Sequence, residues 1–447
     1  LPTYDDAISD ARQKLAAGDA RGAFGALRWP LSYPAADLRE SARWGEAFQL
    51  FAQIAAELAG EELSKLARGA VEAPQDAQAH FDLGYELIEA GLPEIAATVL
   101  LRAHELEPDT LLVTTELAAA LEASGLNHEA VRLLKEAGPV VHESFVPRYS
   151  LAFNTLMTGN VREAQSLLPD ASLIEEDDPH AETFRFMRVN LSAMLDRARA
   201  IRGASTLDDR DLRGWHYVVN GSVLLTLSPY GFDEGMQGRY AYMQDSSSNC
   251  LAGIRSVEGV LKAWGRRPEC IFALPERGST ALALAAGSAL AIPVEPWPLD
   301  GTDQPGLLVA YDLERLAPEV LDTVAQHRPG QILWSHITTW THRSPVAADL
   351  TTSLVQINVA PWDERTRFVP GGEPTREPAS TASPEDLARD IVGATVGEEE
   401  LQGLPELIRF CVSVRALHGT GAPGAFQESG ARRLFRTDSP VKSSRFL

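Results

Sequence analysis

From Leu83 onward the same residue types return every 34 positions. Leu83, Leu117 and Leu151 share one place in the period. Gly84, Ala118 and Ala152 follow, then Gly91, Gly125 and Gly159, then Ala96, Ala130 and Ala164, and last Leu100, Leu134 and Leu168. Apolar residues recur at helical spacing on both sides of the glycine, the pattern of two helices joined by a tight turn. One helix pair cannot bury both of its apolar faces, so each pair must stack on the next, with small residues where the helices cross closely. Upstream, Ala11, Gly18, Ala23 and Leu27 repeat the same offsets in a shifted phase, and Leu66 with Pro74 suggests a degenerate unit between. These residues predict an α-solenoid over residues 4 to 200, of roughly five units, with AETFRFMRVNLSAMLDRARAI as a closing helix.

The leucine, glycine, alanine and leucine offsets, with Pro108 closing a unit, resemble the tetratricopeptide repeat. By that resemblance the groove-facing positions are Gln78, Phe81, Tyr85, Ile88, Tyr149, Phe153, Leu156 and Met157, an apolar and aromatic set. The lysine, arginine and asparagine with which some members hold a peptide carboxylate are missing. Phe81, Tyr85, Ile88, Tyr149, Phe153 and Met157 are therefore the partner-binding candidates, for a protein or peptide with an apolar segment or for the chain's own second half.

After Arg202 the pattern changes. WHYVVNGSVLLTL, from Trp215 to Leu227, places Asn220 and Gly221 between two β-forming runs and predicts a hairpin. An irregular segment to Asn249 follows, long enough to be a functional loop. A helix is expected from Ser248, and then ECIFAL, GSTALALAAGSAL, AIPVEPW, GLLVAYDL, APEVLDTVAQH, QILWSHI and LVQINVAPW give the order βαββαββ. Unbroken apolar runs joined by helices indicate a largely parallel sheet covered on both faces. The expected domains are a repeat domain over 1–200, an α/β domain over 205–365, a proline- and serine-rich linker over 366–385, and a C-terminal helix and basic tail over 386–447.

The stretch LPERGSTALALAAGSALAIPV resembles the type I phosphoribosyltransferases, in which a strand, a pyrophosphate-receiving loop and an alanine-rich helix follow one another. Pro275, Glu276, Arg277, Gly278, Ser279 and Thr280 match that element. Where the family carries paired acids and a Gly/Thr phosphate loop, this chain has Tyr311 and Asp312, then Leu313, Glu314, Arg315, Leu316, Ala317 and Pro318. Without glycine or hydroxyl, and with an added carboxylate, that second loop cannot cradle a phosphate. The resemblance, over roughly Ala252 to Trp362, thus implies a degenerate domain.

The ligand-binding candidates are Arg277, Gly278, Ser279, Thr280, Asp312, His336 and Arg343, with His336, Trp340, His342 and Arg343 expected to gather at the C-terminal edge of the sheet. The two histidines have no cysteine or carboxylate near them at metal spacing, so no metal site is expected, nor a cofactor or catalytic residue. Asp245 and the serines after it read as a helix start, and Cys250, Cys270 and Cys411 as buried inert thiols.

With 62 acidic against 40 basic side chains the formal charge is -22, which opposes nucleic-acid binding. No apolar run is long enough to cross a bilayer, and a cytoplasmic location is expected. The chain starts at Leu1 rather than methionine, so a removed leader stays open. Its basic end (Arg432, Arg433, Arg436, Lys442, Arg445) is read as a mobile tail, or as one docking on the acidic repeats or an acidic partner. The sum is a non-enzymatic adaptor or scaffold. The alternative is an enzyme or sensor binding a phosphorylated small molecule in the α/β domain, which as an enzyme would be a phosphoribosyltransferase-like transferase.

Overall fold

A computed structural model describes residues 3–229, 235–367, 373–415 and 430–443. The chain divides into two compact units, Leu1–Leu191 and Ser192–Leu447.

The first unit is built of stacked helix pairs: α1 (Tyr4–Ala16) with α2 (Ala20–Leu31), α3 (Ser41–Leu58) with α4 (Glu61–Glu72), α5 (Ala77–Glu89) with α6 (Pro93–Leu106), α7 (Leu111–Ala123) with α8 (Asn127–Glu136), and α9 (Phe145–Met157) with α10 (Val161–Leu167). A longer helix, α11 (Ala181–Ala200), follows, and the division between the units falls inside it. Each helix of the pairs packs mainly on the one before and the one after. Gly18, Gly91, Gly125 and Gly159 sit in the intrapair turns with φ of 79°, 73°, 69° and 81°, where any side chain would be strained. Leu83, Leu117 and Leu151, and Ala96, Ala130 and Ala164, are all buried. The fifth pair is cut short: α10 has seven residues, and Leu168 is only half-buried before Pro169.

The second unit contains a parallel sheet in the order β1-β8-β7-β5-β3-β4. Its strands are β1 (Val223–Leu224), β3 (Ile271–Ala273), β4 (Val294–Pro296), β5 (Gly306–Asp312), β7 (Gln331–Thr339) and β8 (Leu350–Val359), and β2 (Tyr240–Gln244) lies farther along the same edge of β8 as β1. All pairings within it are parallel. Helices α13 (Ser247–Trp264), α14 (Arg277–Leu290), α16 (Pro384–Val392) and α17 (Leu404–Val414) pack on one another. Phe272, Leu308, Ala310 and Leu333 form a separate apolar layer with Val320 and Val324 of α15 (Pro318–Val324).

Four expectations about the fold need correction, the basic tail being the last. The predicted hairpin is a helix, α12 (Leu212–Asn220), followed by β1. An Asn-Gly pair serves a hairpin turn or a helix end equally well, because both need positive φ at the glycine. Here Gly221, at φ 67°, closes α12, and the Asp211 carboxylate caps its start by accepting from the Gly214 N–H. The irregular segment after it contains β2, and its residues 230–234 lie outside the described residues. In the expected linker, β10 (Thr375–Glu377) pairs with β9 (Arg365–Arg367).

The described part of the basic tail packs within the second unit. β11 (Gly430–Ala431) pairs with β6 (Gln326–His327), both in the second unit. Arg432 donates to Asp349 at 2.5 Å, with its side chain 2% exposed. Asp349 is in turn held by the Leu333 N–H at 2.7 Å. A buried carboxylate on the sheet needs a cation, and the tail supplies it. Arg445 lies outside the described residues.

Candidate functional site

Read from β4, the order β4-β3-β5-β7-β8 reverses direction between β3 and β5, and open α/β sheets bind ligands beyond the carboxyl ends of the strands at such a point. The candidate anion loop, Pro275 to Thr280, lies there. The chain has filled it with its own groups. The Glu276 carboxylate accepts from the Gly278 N–H at 2.8 Å, the Ser279 N–H at 2.7 Å and the Ser279 hydroxyl at 2.9 Å, so the free donors of the first turn of α14 hold an internal anion. The Ser279 Oγ also accepts from the Tyr311 N–H at 2.9 Å. Arg277 donates to the carbonyls of Ser380 and Ala382, both at 2.7 Å. Gly278 packs so closely under Trp362 that a Cβ would run into the indole. Thr280 donates to the Leu274 carbonyl. These contacts leave Arg277, Gly278, Ser279 and Thr280 committed to the fold rather than open to a ligand.

Asp312, at the end of β5, accepts from the Glu314 N–H at 3.0 Å, and burial pushes its pKa up to about 6. The loop after β7 disperses. His342 pairs with Glu314 at 2.7 Å, and exposed Arg343 faces Asp438 at 3.8 Å. The Trp340 indole donates to the Tyr240 carbonyl. The expected cluster of Arg343, His342 and His336 therefore does not form.

His336 points the other way, onto the face covered by α13. Its Nε2 lies 3.1 Å from the Asp245 Oδ2. The same oxygen accepts from the Tyr311 hydroxyl at 2.8 Å and from the Cys250 thiol at 3.5 Å, while Oδ1 accepts from the Ser246 N–H. Asn358 donates to the Tyr311 oxygen at 3.1 Å. Burial by itself would raise the Asp245 pKa, and His336, the Ser246 N–H and the Tyr311 hydroxyl hold it below the ordinary carboxylate range. Burial, with the adjacent carboxylate, pushes the Cys250 thiol and the Tyr311 hydroxyl well up. The local reasons are plain: β2 ends at Gln244, Asp245 turns into the helix capped by Ser246, and Cys250 lies one turn into α13. Gly253 lets α13 approach, since a Cβ there would come within 2.9 Å of the His336 Nδ1.

Asp245 and His336 line a cavity of 630 Å³ that opens between β2, α13, the first residues of β8 and the segment leading into α17. Thr226, Asn249, Ser256 and Thr352 add polar groups, and Tyr240 and Tyr242 add rings. Four carboxylates, of Asp245, Glu399, Glu400 and Glu406, line it against Arg213, whose guanidinium donates to the Leu224 and Leu225 carbonyls. That balance opposes a phosphate. The residues missed from sequence, Asp245, Cys250 and Tyr311, come from three elements, and only the strand-to-helix turn before the capping serine pointed at one of them.

In the repeats, Phe81, Tyr85 and Ile88 follow one another on α5, with Tyr85 exposed and the other two half-buried. Tyr149, Phe153 and Met157 are buried, with Phe145, Tyr149 and Phe153 stacked in a column, and so present no open surface. Among the described residues, no helix is long and apolar enough to cross a membrane. No protein-family model matches the chain, and no curated protein matches it.

Proposed function

We propose that the chain is a non-catalytic scaffold: its helical repeats, of tetratricopeptide type, engage a protein partner through an apolar segment, and its α/β unit is a phosphoribosyltransferase-like fold that has lost the transfer chemistry. The observation that carries the reading is the Glu276 carboxylate seated on the first turn of α14, where a pyrophosphate would have to lie. A ligand anion would have to displace that carboxylate, and Arg277, the only cation of the loop, is spent on two backbone carbonyls. Phe81, Tyr85 and Ile88, at i, i+4 and i+7 on α5, are the accessible remainder of the expected groove.

The full chain incubated with phosphoribosyl pyrophosphate and purine, pyrimidine or orotate acceptors should release no pyrophosphate above background. Release that depends on the protein and disappears in Asp312→Asn would overturn the scaffold reading. On an array of amphipathic helical peptides, binding should be lost in Tyr85→Ser while the helical signal is kept. Binding indifferent to that change would place the partner surface elsewhere.

The second reading, a small-molecule sensor, is favoured by the 630 Å³ cavity, a volume within the usual range for small ligands. Its acidic lining supports a neutral or cationic occupant rather than a phosphorylated one.

A further inference from the structure

We propose that Asp245, Cys250 and His336 form a binding site for a divalent cation of the zinc class, with a fourth position left to water or to an occupant of the adjoining cavity. The three ligand atoms, carboxylate oxygen, sulfur and imidazole nitrogen, all lie within 4.8 Å of one another, and all three residues are buried. Tetrahedral zinc with ligands at about 2.0 to 2.3 Å sets neighbouring ligand atoms about 3.3 to 3.7 Å apart. The Asp245 Oδ2 stands 3.1 Å from the His336 Nε2 and 3.5 Å from the Cys250 Sγ. Mixed carboxylate, thiolate and imidazole donors suit zinc or cobalt and disfavour magnesium and calcium, which take oxygen.

Two features of the protein without an ion point the same way. Three donors, from Tyr311, His336 and Cys250, converge on the single Oδ2, more than its two lone pairs accommodate well. And no lysine or arginine pairs with the buried Asp245 carboxylate among the described residues. A dication resolves the charge: with one carboxylate and one thiolate the site is neutral. Binding breaks the Cys250 S–H bond and releases that proton to solvent. When His336 is neutral, its proton leaves Nε2 and Nδ1 takes one up, so one proton is released per ion bound. Tyr311 keeps its proton and its hydrogen bond to Asp245. The Nδ1 itself is buried beside Gly253 and has no partner among the described residues.

The test uses the full chain, stripped with a chelator, dialysed, and titrated with Zn²⁺ and Co²⁺. One equivalent of either should bind at micromolar concentration or tighter. Co²⁺ should show intense tetrahedral visible bands and a thiolate charge-transfer band, and Zn²⁺ should release one proton per chain in weak buffer. Cys250→Ser, a nearly isosteric change, should abolish the charge-transfer band, and His336→Gln should weaken binding at least tenfold. Cys411→Ser, a buried thiol outside the cluster, should change neither. Failure to take up either ion, or cobalt spectra unchanged in both Cys250→Ser and His336→Gln, would overturn the site. Circular dichroism of each variant separates loss of the ion from loss of the fold.

Discussion

The two units are held together in different ways. In the repeats most contacts run between neighbouring helices, and the buried polar link from Asn127 to Asn154 spans 27 residues; the longer reach, from Arg28 on α2 to Glu94 on α6 over 66 residues, is a partly exposed ion pair. In the α/β unit the decisive polar contacts join distant parts of the chain: Arg432 to Asp349 over 83 residues, His336 to Asp245 over 91, and Arg277 to Ser380 over 103. A repeat stack gains its stability as a sum of neighbour terms, whereas a parallel sheet cannot close until remote segments arrive. Damage should therefore stay local in the first unit and spread through the second.

The sharpest way to break that contrast is Arg432→Ala. Removing the guanidinium strands the buried Asp349 carboxylate, a loss of about 3 to 5 kcal/mol. Hydrogen exchange should speed up across β5, β7 and β8 and leave α1 to α8 unchanged. Faster exchange confined to the tail would mean that the second unit is as modular as the first.

A smaller effect of opposite sign is expected at Asp312. The folded protein holds its carboxyl proton up to about pH 6, against an ordinary value of 3.8. Between those values the folded state binds more protons than the unfolded, so stability falls as pH rises through the window, and the loss is complete above it. Asp312→Asn, which keeps an acceptor for the Glu314 N–H, should stabilise the α/β unit by about 2 kcal/mol at pH 7 and have little effect near pH 4. Equal melting shifts at both pH values would assign the gain to packing.

The smallest expected effect lies in the repeats. A Cβ at Gly84 would come within 2.5 Å of the Leu100 Cγ. Overpacking of about 1 to 3 kcal/mol is set against a helix-propensity gain of about 1 kcal/mol, so Gly84→Ala should cost about 1 kcal/mol. Exchange should quicken in α5 and α6 alone. A loss that spreads to α9 and α10 would show the stack to be more cooperative than its contacts suggest.

The metal candidate shows how far a linear reading reaches. His336 has no ligand within a few residues, and Cys250 reads as an inert thiol beside a helix cap. Their pairing depends on β2 lying along β8, which places the β2-to-α13 turn over β7. The segment carrying β2 reads as an irregular loop, so its neighbours could not be inferred.

The sequence by itself determined the helix pairs, the glycine turns and the strand and helix order from Cys270 to Val359, because each follows from a periodicity or a backbone demand within one or two elements. It also showed that the segment after Asp312, from Leu313 to Pro318, has neither a glycine nor a hydroxyl with which to cradle a phosphate. Only the tertiary structure decided that Gly221 ends a helix, that Arg432 of the basic tail is buried, that Glu276 closes the anion loop, and that Asp245, Cys250 and His336 meet. Those outcomes rest on the desolvation of charges and polar groups. A buried carboxylate takes whichever donor the fold carries to it, and the distance along the chain says nothing about which one that is.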